Sequence, residues 1–137
     1  MKVLTVKQPH ASLILNGKKK VETRSWKTNY RGELYIHAGM KKVTKKDLQK
    51  DGLKDIIGND NIEEYGKIIC KCNLVDCIYM DKEYIEYMKN NYPREYVCGR
   101  YEIGRYAWVL EDVTKLDKPI EAKGQLSIWN YKKKITE

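Results

Sequence analysis

The sequence has 137 residues, of which 42% are hydrophobic and 34% charged; this excludes a disordered chain and predicts one globular domain over residues 1–137. No apolar run approaches the roughly 20 residues that span a bilayer, and residues 1–16 lack a signal-peptide core, so we expect a cytoplasmic protein without membrane contact. The formal net charge of +8 leaves two interpretations, an anionic partner such as a nucleic acid or a lysine-rich surface without a dedicated partner.

Short strands and helices alternate in the first half of the chain. Pro9 suits the first turn of a helix, and Asn16 with Gly17 forms a favoured helix end. Thr44 is placed to cap a later helix. The predicted elements are strand 3–6, helix 10–16, strand 20–26, strand 33–38 and helix 45–57.

The second half contains the longest strand pattern, residues 67–79, with apolar side chains on both faces, as in a central strand of a barrel. Asp81 can cap the helix that follows, and Pro93 should prevent its continuation. About six strands with two to three flanking helices predict an α+β fold built on a small, mostly antiparallel β-barrel. The predicted elements are strand 67–79, helix 82–90, strand 104–112, turn 117–119 and strand 120–129, with a bulge at Gly124.

Three charged residues lie close together in the segment that runs from Gly17 to Arg24. Because side chains alternate along a strand, Glu22 and Arg24 should share a face, and Lys19 occupies the turn just before them. A lysine and an arginine could hold an anion or a carbonyl, while the carboxylate could accept from an amine or transfer a proton. The alternative is an exposed strand face with a local ion pair.

The spacing G-x-K-x-x-E-x-R, formed by Gly17, Lys19, Glu22 and Arg24, resembles the signature of the ASCH domain family, a β-barrel similar to the PUA RNA-binding domain. The resemblance continues in order along the chain, in VKQPHASLILNG, YRGELYIHA, ICKCNLVDC, YAWVLEDV and KGQLSIWN. It implies a PUA-like barrel in which the signature residues line a cleft for RNA or a nucleoside- or nucleotide-like ligand.

Further ligand candidates come from the loop after the signature and from the family blocks. A basic–aromatic loop such as residues 27–31 can hold single-stranded nucleic acid by stacking and phosphate contact, although a solvated loop explains it equally well. The three tryptophans are more typical of a core than of a stacking surface. For His37 a structural role is favoured. The complete set of ligand candidates is Gln8, Lys19, Glu22, Arg24, Lys27, Tyr30, Arg31, His37, Tyr106 and Trp108.

The resemblance also implies an alternative function, a small hydrolase with Lys19 and Glu22 as its catalytic residues. Some ASCH proteins are amidohydrolases on N4-acylated cytidine and use a threonine nucleophile near the signature lysine. Here Glu22 occupies the matching position, and Thr23 should face the other side of the strand. This departure argues against the same mechanism.

A second departure concerns the catalytic acid. Many relatives read ELVD where this chain has Asn73 at the first position, and Glu83 or Glu86 on the following helix could substitute. Ribonuclease activity has also been proposed within the family, and the residues that would take part in it here are Lys19, Arg24 and His37.

The four cysteines form no C-x-x-C pair, so we expect free thiols without a metal site, disulfide or cofactor. A monomer is favoured.

Within the lysine run 18–20, Lys19 is expected to matter most for a ligand, because no local partner is evident for its ammonium. On this reasoning Lys19→Ala should weaken ligand binding with little change in melting temperature.

Overall fold

The computed structural model describes residues 1–132, in which a mixed six-stranded sheet curves into a half-barrel. The strands are β1 (Lys2–Val6), β2 (Val21–Arg24), β3 (Gly32–Ala38), β4 (Lys67–Tyr79), β5 (Tyr106–Glu121) and β6 (Ile128–Asn130). Their order across the sheet is β2-β5-β4-β3-β1-β6, with β1 and β3 parallel and every other neighbouring pair antiparallel. The predicted α+β class with a mostly antiparallel sheet is therefore confirmed.

Short helices connect the strands. Asp81 caps the third helix as predicted, because its carboxylate accepts a hydrogen bond from the Tyr84 amide at 2.8 Å. The continuous helix predicted over 45–57 was wrong: Gly52 adopts a left-handed φ of 87°, and a 3-10 turn at Lys46–Leu48 precedes a short helix. The helices of the described residues are α1 (His10–Leu15), α2 (Leu53–Ile57), α3 (Lys82–Asn91) and α4 (Pro93–Val97).

β5 is one long strand where the sequence predicted two strands separated by a turn. Along most of its length it pairs with β4, between Lys67↔Glu121 and Tyr79↔Tyr106. Ile68 of β4 pairs with Ile120 of β5, and Cys70, two residues further along β4, pairs with Lys115, five residues away along β5. The predicted turn 117–119 is therefore a bulge inside β5. A bulge accommodates Pro119 because proline has no amide to donate to the ladder. The last strand starts at Ile128 rather than 120, and Gly124 lies in the connection before it.

The main core fills the space between α1 and the sheet. Both faces of β3 are covered, since Leu34 and Ile36 pack in the main core while Tyr35 packs with Trp129 in a second cluster. The four cysteines are free, and three of them are buried. None of the helices within residues 1–132 has the length and apolar character to cross a membrane. The lysines at positions 132–134 lie mostly outside the described residues.

Candidate functional site

A cleft of about 840 Å³ opens at the junction of α1 and β2. Its floor contains His10 from α1, Lys19 from the turn, and Glu22 and Arg24 from β2. Gly17 makes the tight turn possible with a left-handed φ of 76°, and the two amides that follow it both donate to the Leu13 carbonyl. Lys19, Glu22 and Arg24 of the signature thus line one cleft, and the first helix contributes His10 to it.

Lys19 is the most deeply placed charge of the floor, with 1% of its surface exposed. Its Nζ donates to the Cys98 carbonyl and to His10 Nδ1 at 3.0 Å, and it lies 3.3 Å from Glu22 Oε1. An ammonium has three donors, and these three acceptors account for all of them. The expectation that Lys19 has no local partner was wrong, because its partners come from α1, β2 and the residue that follows α4.

Glu22 bridges the two cations of the signature. Arg24 donates from Nε at 3.0 Å and from Nη2 at 2.8 Å to Glu22 Oε2, which confirms that the two side chains share a face. Nη2 of Arg24 also donates to the Thr5 carbonyl at 2.8 Å. Burial alone would raise the pKa of Glu22, but Lys19 and Arg24 outweigh that effect and lower it. The carboxylate is therefore ionised near neutral pH.

His10 is the neutral member of the floor. Burial, assisted by the charge of Lys19, lowers the pKa of His10 to about 4. Because the Lys19 ammonium can only donate, His10 Nδ1 must accept, and the single ring proton of the neutral imidazole sits on Nε2.

Charged side chains that bind backbone groups hold the segment 97–100, which contributes Val97, Gly99 and Arg100 to the cleft lining. The Glu95 carboxylate on α4 accepts from the amides of Lys20 at 2.5 Å and Val21 at 3.1 Å, which anchors the start of β2. Lys50 donates to the Gly99 carbonyl at 2.5 Å, next to the carbonyl that Lys19 binds. These contacts fix the position of residues 98–100 relative to the signature.

The lining of the cleft as a whole is predominantly basic. Among the described residues, seven basic and two acidic side chains line the cleft. Trp26 also lines it and packs edge-to-face on Trp108, with ring centroids 4.6 Å apart and planes at 85°. The Trp26 carbonyl accepts from Trp108 Nε1 at 3.3 Å, so the partly exposed Trp26 ring is fixed in place by Trp108. The basic residues of the lining are Lys7, Lys19, Arg24, Lys41, Lys50, Arg100 and Arg105.

The model of the ASCH domain family matches residues 4–120 of the chain. The chain belongs to the ASCH family. It is 30% identical over 138 residues to human activating signal cointegrator 1, an alignment that covers 96% of this chain and 22% of that protein.

Two solved structures resemble this ASCH domain in fold. The crystal structure of ASCH from Zymomonas mobilis superposes with a TM-score of 0.62 at 18% identity, covering 96% of this chain and 87% of that one. A single-substitution variant of the Zymomonas mobilis protein gives a TM-score of 0.54 at 19% identity, with coverage of 88% and 74%. At these identities the likeness supports the fold alone.

Three sequence-predicted ligand residues of the ASCH domain are fully buried away from the cleft. Gln8 donates to Ser12 Oγ and to the Glu64 carbonyl, both at 2.8 Å, and supports the start of α1. His37 donates from Nε2 to the Ala122 carbonyl at 2.6 Å, which fits the favoured structural role. Trp108 belongs to the main core.

The remaining candidates lie near the surface but do not line this cleft of the described structure. The basic–aromatic loop of Lys27, Tyr30 and Arg31 is separate from it, and Arg31 donates to backbone carbonyls of its own loop. Tyr106 packs edge-to-face against Tyr79. The two acids considered as substitutes, Glu83 and Glu86, are exposed on α3 and are likewise absent from the lining.

Several residues of the ASCH cleft were missed by sequence reasoning. Trp26 lines the cleft, whereas Trp108 was the tryptophan proposed from the family block. Arg100 and Arg105 flank the turn before β5, and two arginines at a strand entrance were the only available signal. Lys7 belongs to the first family block but was not singled out there, and Lys50 lies in no motif; the tertiary fold brings both to the cleft.

Proposed function

We propose that this ASCH domain binds RNA or a nucleotide-like ligand in the cleft. The excess of basic over acidic side chains in the lining is the observation that carries the proposal. A concave surface of one sign raises the local concentration of ligands of the opposite sign, and phosphate backbones are the commonest polyanions that such surfaces bind. Membership of the ASCH family supports the same ligand class.

The rim cations are available to phosphate. Lys7 pairs with Asp47 at 2.6 Å, but 45% of the Lys7 side chain is exposed. Arg100 pairs with Glu102 at 3.0 Å, and 68% of its side chain is exposed. Exposed ion pairs contribute about 0–1 kcal/mol, so a phosphate oxygen can replace the carboxylate at little cost.

Trp26 supplies the aromatic surface that a base requires. Its ring is partly exposed at the cleft and is held from behind by Trp108. Stacking of a base on an exposed aromatic ring contributes about 1–3 kcal/mol and tolerates any base sequence. A cleft with rim cations and one fixed aromatic ring therefore suits a single-stranded nucleotide segment.

The test is binding of a fluorescently labelled single-stranded RNA over a range of salt concentrations. The logarithm of the affinity should fall linearly with the logarithm of salt, and Arg100→Ala should reduce the slope by about 0.7. Arg94→Ala is the matched control, because Arg94 is exposed on α4 and does not line the cleft. Arg31→Ala tests the basic–aromatic loop in the same assay.

Two results would contradict the proposal. One is the absence of binding at low salt. The other is an equal loss in Arg100→Ala and Arg94→Ala, which would assign the affinity to diffuse surface charge rather than to the cleft.

A hydrolase acting on N4-acylated cytidine or RNA is the second candidate. It is favoured by the contact of a carboxylate, an ammonium and a neutral imidazole in one cleft. Against it, Lys19 has no spare donor and the lowered pKa makes Glu22 a weak base. Thr23 lines the cleft, contrary to the expectation that it faces away, but its hydroxyl accepts from the Arg100 amide at 3.0 Å. Product analysis after incubation with both substrates decides, and turnover that survives Glu22→Gln would exclude Glu22 as the catalytic group.

A further inference from the structure

The floor and the rim of the cleft offer different chemistry to a ligand. At the floor, the Lys19 ammonium has no free donor, the Arg24 guanidinium is engaged by Glu22 and the Thr5 carbonyl, and the ionised Glu22 would repel a phosphate that approached it. The exposed cations lie at the rim, where Arg100 and Lys7 face solvent. An uncharged part of a nucleotide is therefore better suited to the floor than its phosphate.

His10 presents a single neutral donor at this floor. Its Nδ1 is 3.0 Å from the Lys19 ammonium and must accept, which leaves the proton on Nε2. His10 lines the cleft, and no acceptor within residues 1–132 contacts its Nε2. Lys19 is in turn held by Cys98 and Glu22, so the tautomer of His10 is set by contacts that span three segments of the chain.

We propose that His10 is a specificity-determining residue of the cleft, donating a hydrogen bond from its Nε2–H to an acceptor atom on the edge of a nucleobase. This role rests on the proposed binding of RNA or a nucleotide. The Nε2–H donor would recognise a base at the floor, because a base offers ring nitrogen and carbonyl acceptors. The ribose-phosphate backbone would be held at the rim instead.

The chain contains two histidines, which allows a test on the unaltered protein. In protein with 15N-labelled histidine at neutral pH, both rings should show the neutral Nε2–H tautomer. His37 is the internal control, because its Nε2 already donates to the Ala122 carbonyl at 2.6 Å. A mixed-sequence single-stranded RNA of about eight nucleotides should shift the Nε2 resonance of His10 and leave that of His37 in place. An Nδ1–H tautomer for His10, or no shift at saturating RNA, would overturn the proposal.

A variant measures the contribution of the donor. His10→Asn keeps a side-chain oxygen that can accept from Lys19 but removes the donor at the Nε2 position. Its affinity for the RNA should fall about three- to tenfold, the effect of one neutral hydrogen bond. Its affinity for an abasic oligomer of the same length, and the salt dependence of binding, should not change, because His10 carries no charge.

The outcomes separate this role from the proposed function. Equal affinity of His10→Asn and wild type for the RNA, or an equal loss for RNA and abasic oligomer, would overturn the role of His10 while RNA binding stands. Failure of the wild-type protein to bind either oligomer would overturn the proposed function and this role together. If His10→Asn does not fold, the resonances of the unaltered protein decide.

Discussion

Replacing Lys19 by methionine should destabilise the protein strongly. The substitution keeps the length of the side chain but removes an ammonium that is 1% exposed and contacts the Cys98 carbonyl, His10 and Glu22. Removing one partner of a buried ion pair costs about 3–5 kcal/mol, because the other charge stays buried without its partner. Arg24 still contacts Glu22 in the variant, so we expect a loss of about 3–4 kcal/mol.

The expected change can be measured by thermal and urea unfolding. For a chain of this length, 1 kcal/mol corresponds to about 3–4 °C, so the melting temperature should fall by roughly 10–15 °C. Lys20→Met is the matched control, since Lys20 is the exposed neighbour, and its loss should stay within about 0.5 kcal/mol. Adding Glu22→Gln to Lys19→Met should recover part of the loss, because the unpaired buried charge is then removed.

A Lys19→Met variant no less stable than Lys20→Met would contradict this prediction. It would mean that the Lys19 ammonium is solvated rather than held by Cys98, His10 and Glu22. The structure predicts the opposite of the sequence-based expectation that replacement of Lys19 leaves the melting temperature nearly unchanged.

Further predictions concern pH, packing and stacking. The pKa of His10 is about 4 in the folded state and 6.5 in the unfolded state, so the unfolded chain binds more protons between these values and stability rises with pH. The free energy of unfolding measured in urea should therefore fall by about 2 kcal/mol from pH 7 to pH 5, and His10→Asn should abolish this fall. A fall of the same size in His10→Asn would contradict the lowered pKa of His10. Because the pKa of Glu22 is lowered in the folded state, stability should fall further as the pH drops below about 4.5. A methyl group at Gly99 would lie 2.7 Å from a Thr23 side-chain carbon, so Gly99→Ala should cost about 1–3 kcal/mol, and a stability equal to wild type would refute the contact. Trp26→Leu should lower the affinity for the fluorescently labelled single-stranded RNA by about 1–3 kcal/mol, and unchanged affinity would exclude stacking on Trp26.

The sequence alone determined the local arrangement of the signature. Side-chain alternation is a property of any strand, and it correctly placed Glu22 and Arg24 on one face. The cap at Asp81 and the long strand β4 are local features of the same kind. The fold class also followed, because the order of strand and helix patterns restricts the possible architectures.

Only the tertiary structure decided what covers each face. The carbonyl that binds Lys19 belongs to Cys98, 79 positions along the chain, and no local pattern predicts that contact. Trp26 and Trp108 both occur in strand-like segments, yet one ring lines the cleft and the other is buried in the core. Periodicity sets the face on which a side chain lies, but burial, charge pairing and pKa depend on the segments that pack against that face.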